Sequence, residues 1–412
     1  MNETVVIIGG GQAGAQTAVS LRKEGFSGTI TMVCEEPDLP YQRPPLSKTY
    51  LAGELSKERL FIKPAAFYEK AKITLLLGVR VIAIDTEKQS LSLDNQQSLP
   101  YSHLVFATGG RVRPLHCPGI EHHHVHYLRT LADVDAMQDK FQPGKRLVII
   151  GGGYVGLETA AVAVKHGLEV SVLVARPTAL GRVTSKVVGQ FFEQVHRSAG
   201  VNLQSNTDVE CLVGDNEEVV LTTRGALLRA DLVVVGIGLL PNIELAESAG
   251  ILCEDGINTD PYGRTSVANI YAAGDCANHP NAIYKRRMRL QSVQNAIDQA
   301  KTVAASICGK DKPYTQIPWF WSDQYELKLQ TAGVNTGYDE IVLRGDPATR
   351  SFAAFYLRAG RLLAVDAINR PAEFVAARNI INKHLAVSAA RLSDESIPAK
   401  ALAKPQEATR PT

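Results

Sequence analysis

The sequence predicts an α/β fold built around two parallel sheets and closed by a C-terminal α+β domain. Three observations carry this expectation. A β-α-β pattern occurs twice, at "TVVIIGGGQAGAQTAVSLRKEGFSGTITMVCEE" (4–36) and "RLVIIGGGYVGLETAAVAVKHGLEVSVLVAR" (146–176). Three further apolar runs, "HLVFATGG", "LVVVGIGLLPN" and "NIYAAGDCA", end in glycine turns, and such β-branched runs suit strands buried on both faces of a parallel sheet. From about residue 314 the pattern becomes alternating, with Gly and Asp turns, as in "PWFWSDQYELKLQTAGV", which suits an antiparallel sheet.

In each repeat the glycines have distinct jobs. Gly9 and Gly151 permit the tight turn after the strand, Gly11 and Gly153 let the backbone approach a pyrophosphate, and Gly14 and Gly156 let the helix pack on the strand. The unpaired N–H groups at each helix start then face the phosphates. Two such motifs, each between an apolar strand and an Ala-rich helix, imply two Rossmann-like dinucleotide sites.

Glu35 and Glu36 follow the second strand of the first repeat, where a carboxylate accepts ribose hydroxyls, so this site suits an unphosphorylated nucleotide such as the ADP part of FAD. In the second repeat Val174 is expected at the acidic position and Arg176 lies two residues on. That pattern is the one expected of a site accepting a 2′-phosphate, with Arg176 on the surface or on the pyrophosphate as the other reading, so a nicotinamide dinucleotide is expected with NADH and NADPH both open. Asp275 sits at the C-terminal end of a strand, where open α/β sheets bind ligands.

A chain of 412 residues is long enough for two or three domains. Its formal net charge of +2 gives no global field toward nucleic acid or an anionic membrane, and no apolar run reaches the roughly twenty residues of a membrane span. A cytoplasmic location is expected. The six cysteines are scattered, with none between Cys34 and Cys117, so thiol-shuttling chemistry near the first repeat lacks its nucleophile. The run "EHHHVH" (121–126) lacks a neighbouring carboxylate or cysteine constellation, and no metal site is expected.

The combination of "PYQRPPLSK", "LVFATGG", "YLRTL", "IGGGYVGLE", "VVVGIGLLPN", "YAAGDC", "SVQNA" and "PWFWSDQ" resembles the FAD-dependent ferredoxin reductases of oxygenase systems, the putidaredoxin-reductase-like group with the glutathione-reductase fold. The resemblance spans nearly the whole chain, and "RPPLSK" with "PWFWSDQ" is its most specific part. It implies an FAD domain at 1–111 and 240–315, an NAD(P)H domain at 112–239, and a C-terminal interface domain at 316–412 that frays from about Ser393.

By resemblance, Arg43, Pro45 and Lys48 lie along the flavin ring, and Glu158 pairs with Lys48 where the nicotinamide stacks. Ala13, Ala107, Thr108, Gly109, Arg129, Gly274, Asp275, Ser292, Val293 and Gln294 match further FAD positions. Tyr154, Val155, Arg182, Gly236, Ile237 and Gly238 complete the NAD(P)H set. The helix from Val293 would aim its positive end at the flavin pyrimidine. Trp319 and Trp321, two apart on one strand, are expected on opposite faces, with Trp321, Ser322 and Asp323 toward the flavin.

The cations Lys285, Arg286, Arg287 and Arg289 form a local patch that would steer an acidic [2Fe–2S] ferredoxin. The resemblance implies a monomeric NADH:ferredoxin reductase, NADPH being the other possible donor. An NAD(P)H oxidase, a quinone or rubredoxin reductase, and a redox signalling flavoprotein similar to apoptosis-inducing factor are the alternatives.

Overall fold

The computed structural model describes residues 3–215, 218–223 and 225–404. The chain divides into two compact units, the first from 1–43, 56–111 and 239–316, the second from 44–55, 112–238 and 317 onward. The segment 44–55 therefore groups with the second unit, as does the C-terminal sheet.

In the first unit, five strands form one sheet in the order Ile270–Ala272, His103–Phe106, Thr4–Ile8, Thr29–Cys34, Ile73–Leu77, every pair parallel. Alternate residues of the central strand point to opposite faces. Val5 and Ile7 join a core with Met32, Val105, Ala18 and Leu21, while Val6 and Ile8 join another with Val33, Leu104 and Phe106. Both faces are covered, and so the strands read as unbroken apolar runs.

The second unit repeats this design with Asn202–Ser205, Glu169–Val174, Arg146–Ile150, Leu232–Val235 and Val125–Tyr127, again all parallel. It adds an antiparallel sheet ordered Trp319–Gln324, Leu327–Gly333, Arg361–Ile368, Ser351–Arg358, Glu340–Asp346. Ala359 and Gly360, at φ 48° and 70°, close the last hairpin in the left-handed region that two-residue turns require.

The helix expected near 371–386 runs from Pro371 to Asn382, with Pro371 at its start, where a missing N–H costs nothing. The stretch after Ser393 corrects the expectation of fraying as far as Lys404; residues 405–412 lie outside those described. A short helix, Ala399–Leu402, follows, and Leu392 and Leu402 are buried. The buried Arg344 guanidinium donates to the carbonyls of Leu392, Asp394 and Ile397 while pairing with Glu373 at 3.1 Å. Composition suggested a tail because the residue that anchors it lies some fifty positions upstream.

Candidate active site

The first glycine turn is held by backbone contacts that exclude side chains. Gly9 has φ 116°, and a Cβ there would lie 2.3 Å from the Ala107 carbonyl oxygen; one on Gly14 would lie 2.0 Å from the Gly9 oxygen. A Cβ on Gly11 would meet nothing within 4 Å, so the backbone beside the start of the helix Gln12–Glu24 is open. Gly11 makes no side-chain cap and the first turn carries no acid, which leaves its N–H groups to an anion. These features fit a dinucleotide pyrophosphate.

Several of the expected residues have defined partners in this unit. Thr108 Oγ1 donates to the Asn242 carbonyl at 2.7 Å, and Asn242 Nδ2 returns a bond to the Thr108 carbonyl at 2.9 Å. Asn242 also donates its backbone N–H to Gly109. Asn242 was not among the expected site residues, although it ends the "GIGLLPN" run; its role depends on a partner 134 positions away. A Cβ on Gly274 would lie 2.9 Å from the Ala13 methyl, which sets two expected residues side by side. Ser292 caps the helix Val293–Ile307 by accepting from the Asn295 N–H at 3.2 Å, and Gln294 donates to Asp298 at 2.7 Å. Asp275 is half-buried.

The two acidic residues differ. Glu36 accepts from Tyr41 and from Arg43, each at 2.5 Å, and Arg43 also donates to the Tyr41 hydroxyl at 2.9 Å. Glu35 is exposed and pairs with the exposed Arg80.

His279 makes this unit sensitive to pH. Gln299 accepts the Gly274 N–H at 2.7 Å through Oε1, and its Nε2 donates to His279 Nδ1 at 2.9 Å. His279 is 2% exposed, and burial, together with Arg287, pushes its imidazole down to about 4. The folded value lies below the ordinary 6.5, so the stability it contributes is present above pH 6.5 and lost as pH falls from 6.5 to 4, on the order of 3 kcal/mol. Denaturant titrations at pH 7 and 4.5 should show this loss, and His279→Gln should flatten it.

In the second unit the same geometry recurs. Gly151 has φ 118°; a Cβ there would lie 2.4 Å from the Gly236 oxygen, and one on Gly156 would lie 2.4 Å from the Gly151 oxygen. Gly153 has only the Gly236 oxygen near, at 3.9 Å. Gly238, at φ 113°, has Arg182 against it, while Val155 is exposed and Ile237 half-buried.

Val174 is not at the acidic position. Its methyl would lie 2.7 Å from a Gly152 Cβ, as Cys34 Sγ would from a Gly10 Cβ. The two units thus equate Val174 with Cys34 and Arg176 with Glu36, and Val174 is a buried support of the turn. Arg176 is exposed.

The stretch 44–55 and the helix Tyr154–Lys165 bring together a buried polar group. Pro44–Ser47 is a short 3-10 turn, after which the Lys48 N–H donates to the Pro45 carbonyl at 3.0 Å. Lys48 Nζ lies 2.7 Å from Glu158 Oε2, to which Ser47 Oγ also donates at 2.6 Å. Ser322 Oγ donates to Glu158 Oε1 at 2.5 Å. Side-chain exposure is 18% for Lys48 and 4% for Glu158, so a buried carboxylate is met by one cation and two hydroxyls. Ser47 was not anticipated; its signal was adjacency to Lys48.

Trp319 and Trp321 share a face, with ring centroids 5.7 Å apart, which corrects the expectation of opposite sides. Residues i and i+2 of a pleated strand point the same way. Trp319 packs on Phe374, and Tyr154 lies 4.6 Å from Phe320, on the residue between the tryptophans. The Arg129 N–H donates to Asp133 at 2.9 Å.

The cation patch divides. Arg287 donates to the Thr259 and Asn278 carbonyls, and Arg289 pairs with Asp255 at 3.0 Å, so both brace the strand Arg286–Arg289. Lys285 and Arg286 are exposed. His122, His123 and His124 bring ring nitrogens within 4.8 Å of one another, one of them accepting from the His124 N–H at 3.3 Å.

The thiols near the first turn are withdrawn from chemistry. Burial pushes Cys34 up to about 12, and Cys276, beside Asp275, is fully buried with its thiol also raised. Among the described residues no helix is long and apolar enough to cross a membrane.

Residues 3–300 match the pyridine nucleotide-disulphide oxidoreductase family, and 319–403 match the reductase C-terminal family. The chain is 43% identical over 408 residues to a ferredoxin–NAD(P)(+) reductase of a Sphingomonas species, covering 98% of each. It is 43% identical over 407 residues to putidaredoxin reductase of Pseudomonas putida, covering 97% of this chain and 96% of that one. The reductase in a crystal structure of the covalent putidaredoxin reductase–putidaredoxin complex superposes with a TM-score of 0.95 at 42% identity, covering 97% and 98%.

Proposed function

Because the chain belongs to the pyridine nucleotide-disulphide oxidoreductase family, we propose that it is an FAD-dependent NADH:ferredoxin reductase supplying an oxygenase. An FAD held by the first glycine turn would supply a hydride acceptor that gives up electrons singly, which would let a two-electron donor serve a [2Fe–2S] carrier. The observation that carries this reading is the pair of glycine turns, one per unit, each open where a pyrophosphate would approach and neither flanked by a reactive thiol. Near-complete alignment with relatives named as ferredoxin and putidaredoxin reductases supports the same acceptor class.

The residues take these roles. Gly9, Gly11 and Gly14 receive the FAD pyrophosphate, Glu35 the ribose, and the stretch from Ala107 to Gly109 with Gly274, Asp275 and the start of the helix Val293–Ile307 the remainder. Gly151, Gly153 and Gly156, with Arg182 and Gly236 to Gly238, receive the nicotinamide dinucleotide. Lys48, oriented by Glu158, supplies the cation that favours an electron-rich reduced ring. Pro45, Arg129 and Trp321 belong to the flavin side, and Lys285 and Arg286 form the part of the basic patch free to meet an acidic ferredoxin. The six thiols suit a reducing cytoplasm, where the protein acts as a monomer.

Cytochrome c reduction by NADH should need an added [2Fe–2S] ferredoxin and fall with rising salt. Rapid ferredoxin-independent transfer to oxygen would overturn the reading in favour of an oxidase. The efficiency kcat/KM should favour NADH over NADPH. Ala175→Glu, which places an acid at the position equivalent to Glu35, should widen that ratio about tenfold.

A further inference from the structure

A continuous chain of side-chain hydrogen bonds leads away from Glu158 within the second unit. Ser322 Oγ donates to Glu158 Oε1 at 2.5 Å, and Gln324 Nε2 donates to Ser322 Oγ at 3.2 Å. Gln324 Oε1 lies 2.9 Å from His196 Nε2, and His196 Nδ1 lies 3.0 Å from the Tyr325 hydroxyl. Ser322 and Gln324 are each 1% exposed and His196 is 0% exposed, while Tyr325 is half-buried at the outer end.

The chemistry of the groups dictates the direction of every bond. An ionised carboxylate only accepts, so Ser322 must donate to Glu158 and use its lone pairs for the Gln324 amide. The Gln324 oxygen then faces His196, which must carry its proton on Nε2 and accept from Tyr325 at Nδ1. Burial favours the neutral imidazole that this arrangement requires. Tyr325 begins the turn between the strands Trp319–Gln324 and Leu327–Gly333 at φ 54°, a backbone region that favours glycine. A bulky aromatic is thus kept in an unfavourable conformation while its hydroxyl reaches His196.

We propose that Tyr325, His196 and Gln324 are positioning residues whose donors align head to tail, so that Ser322 always presents its proton to Glu158. One carboxylate oxygen is thereby held by Ser322, and the other is left to Ser47 and Lys48, which sets the place of the Lys48 ammonium. The role in hydride transfer rests on the reading of the Lys48–Glu158 pair given above. The chain orients without conducting, because a proton could cross Gln324 only through the imidic acid form of its amide.

The test compares two substitutions of similar shape in the FAD-loaded enzyme. In Gln324→Glu an ionised carboxylate takes Ser322's proton and turns it away from Glu158. In Gln324→Met, Ser322 can still donate inward. Anaerobic stopped-flow reduction by NADH should slow about tenfold in Gln324→Glu, with the NADH Kd changed less than about twofold, and about threefold in Gln324→Met. Nitrogen NMR of 15N-histidine-labelled enzyme, with His196 assigned through His196→Gln, should find the proton on Nε2 alone in wild type and on both nitrogens in Gln324→Glu.

Equal rates in the two variants, a slower Gln324→Met, or a wild-type proton on Nδ1 would each overturn the inference. Glu158→Gln separates the two levels. If that variant reduces at the wild-type rate, the reading of the Lys48–Glu158 pair fails, and the histidine tautomer still decides the direction of the chain.

Discussion

Lys48→Ala should slow reduction of the flavin by NADH by about 10²-fold, the range found when a preorganised charge-stabilising donor is removed. Lys48 pairs with Glu158 at 2.7 Å, and the other donors to that carboxylate given above, Ser47 and Ser322, are neutral hydroxyls. The hydroxyls of Ser47 and Ser322 remain, so the carboxylate stays solvated by two donors and the fold should survive. Glu158→Ala removes the other partner and leaves Lys48, 18% exposed, with the Pro44 carbonyl at 3.5 Å as its hydrogen-bond acceptor among the described residues. Its ammonium is then free to turn to solvent, and a comparable slowing is expected. In the double variant the losses should be far from additive, because the two residues act as one unit. Stopped-flow reduction of the four proteins measures this cycle. Wild-type rates in both single variants would reduce 40–50 to a scaffold.

Arg344→Ala should destabilise the second unit by about 3–5 kcal/mol, the cost of stranding one partner of a buried ion pair. Arg344 and Glu373 side chains are 3% and 6% exposed. Without the guanidinium, Glu373 keeps Arg370, at 3.4 Å, as its cation among the described residues, and the carbonyls of Leu392, Asp394 and Ile397 lose a shared donor. Thermal unfolding should move down by roughly 10 °C for a unit of this size. Limited proteolysis should cut first after 389, where the released carbonyls lie. Arg344→Lys keeps the charge without the fork of donors and should recover only part of the loss.

These two cases mark where sequence reasoning succeeds and where it stops. The Lys48–Glu158 pair was expected from the family resemblance, whose most specific part is "RPPLSK" with "PWFWSDQ", and the pairing appears at 2.7 Å. Arg344 had no such mark: an arginine on an alternating strand reads as solvent-facing, and its burial depends on a segment some fifty residues later. Val174 was misplaced because the first repeat carries two more residues before the end of its second strand, Gly14 to Cys34 spanning 20 positions and Gly156 to Val174 18. The tryptophan faces were misjudged against a period of two that the strand itself imposes.

What the sequence by itself determined was everything that local chemistry constrains. Two glycine turns exclude a Cβ at Gly9, Gly14, Gly151 and Gly156, apolar runs demand sheets covered on both faces, and the lack of a cysteine beside the first turn removes the thiol relay. Only the tertiary structure decided which polar groups meet. It paired Arg43 with Glu36, tied Arg287 and Arg289 into a strand, joined Asn242 to Thr108, and ran Tyr325, His196, Gln324 and Ser322 into one file ending on Glu158. The physical reason is range. Backbone sterics and hydrophobic period act over a few residues, whereas a buried polar group must find its partner wherever the fold brings one, and separations of 128 to 164 positions leave no local trace.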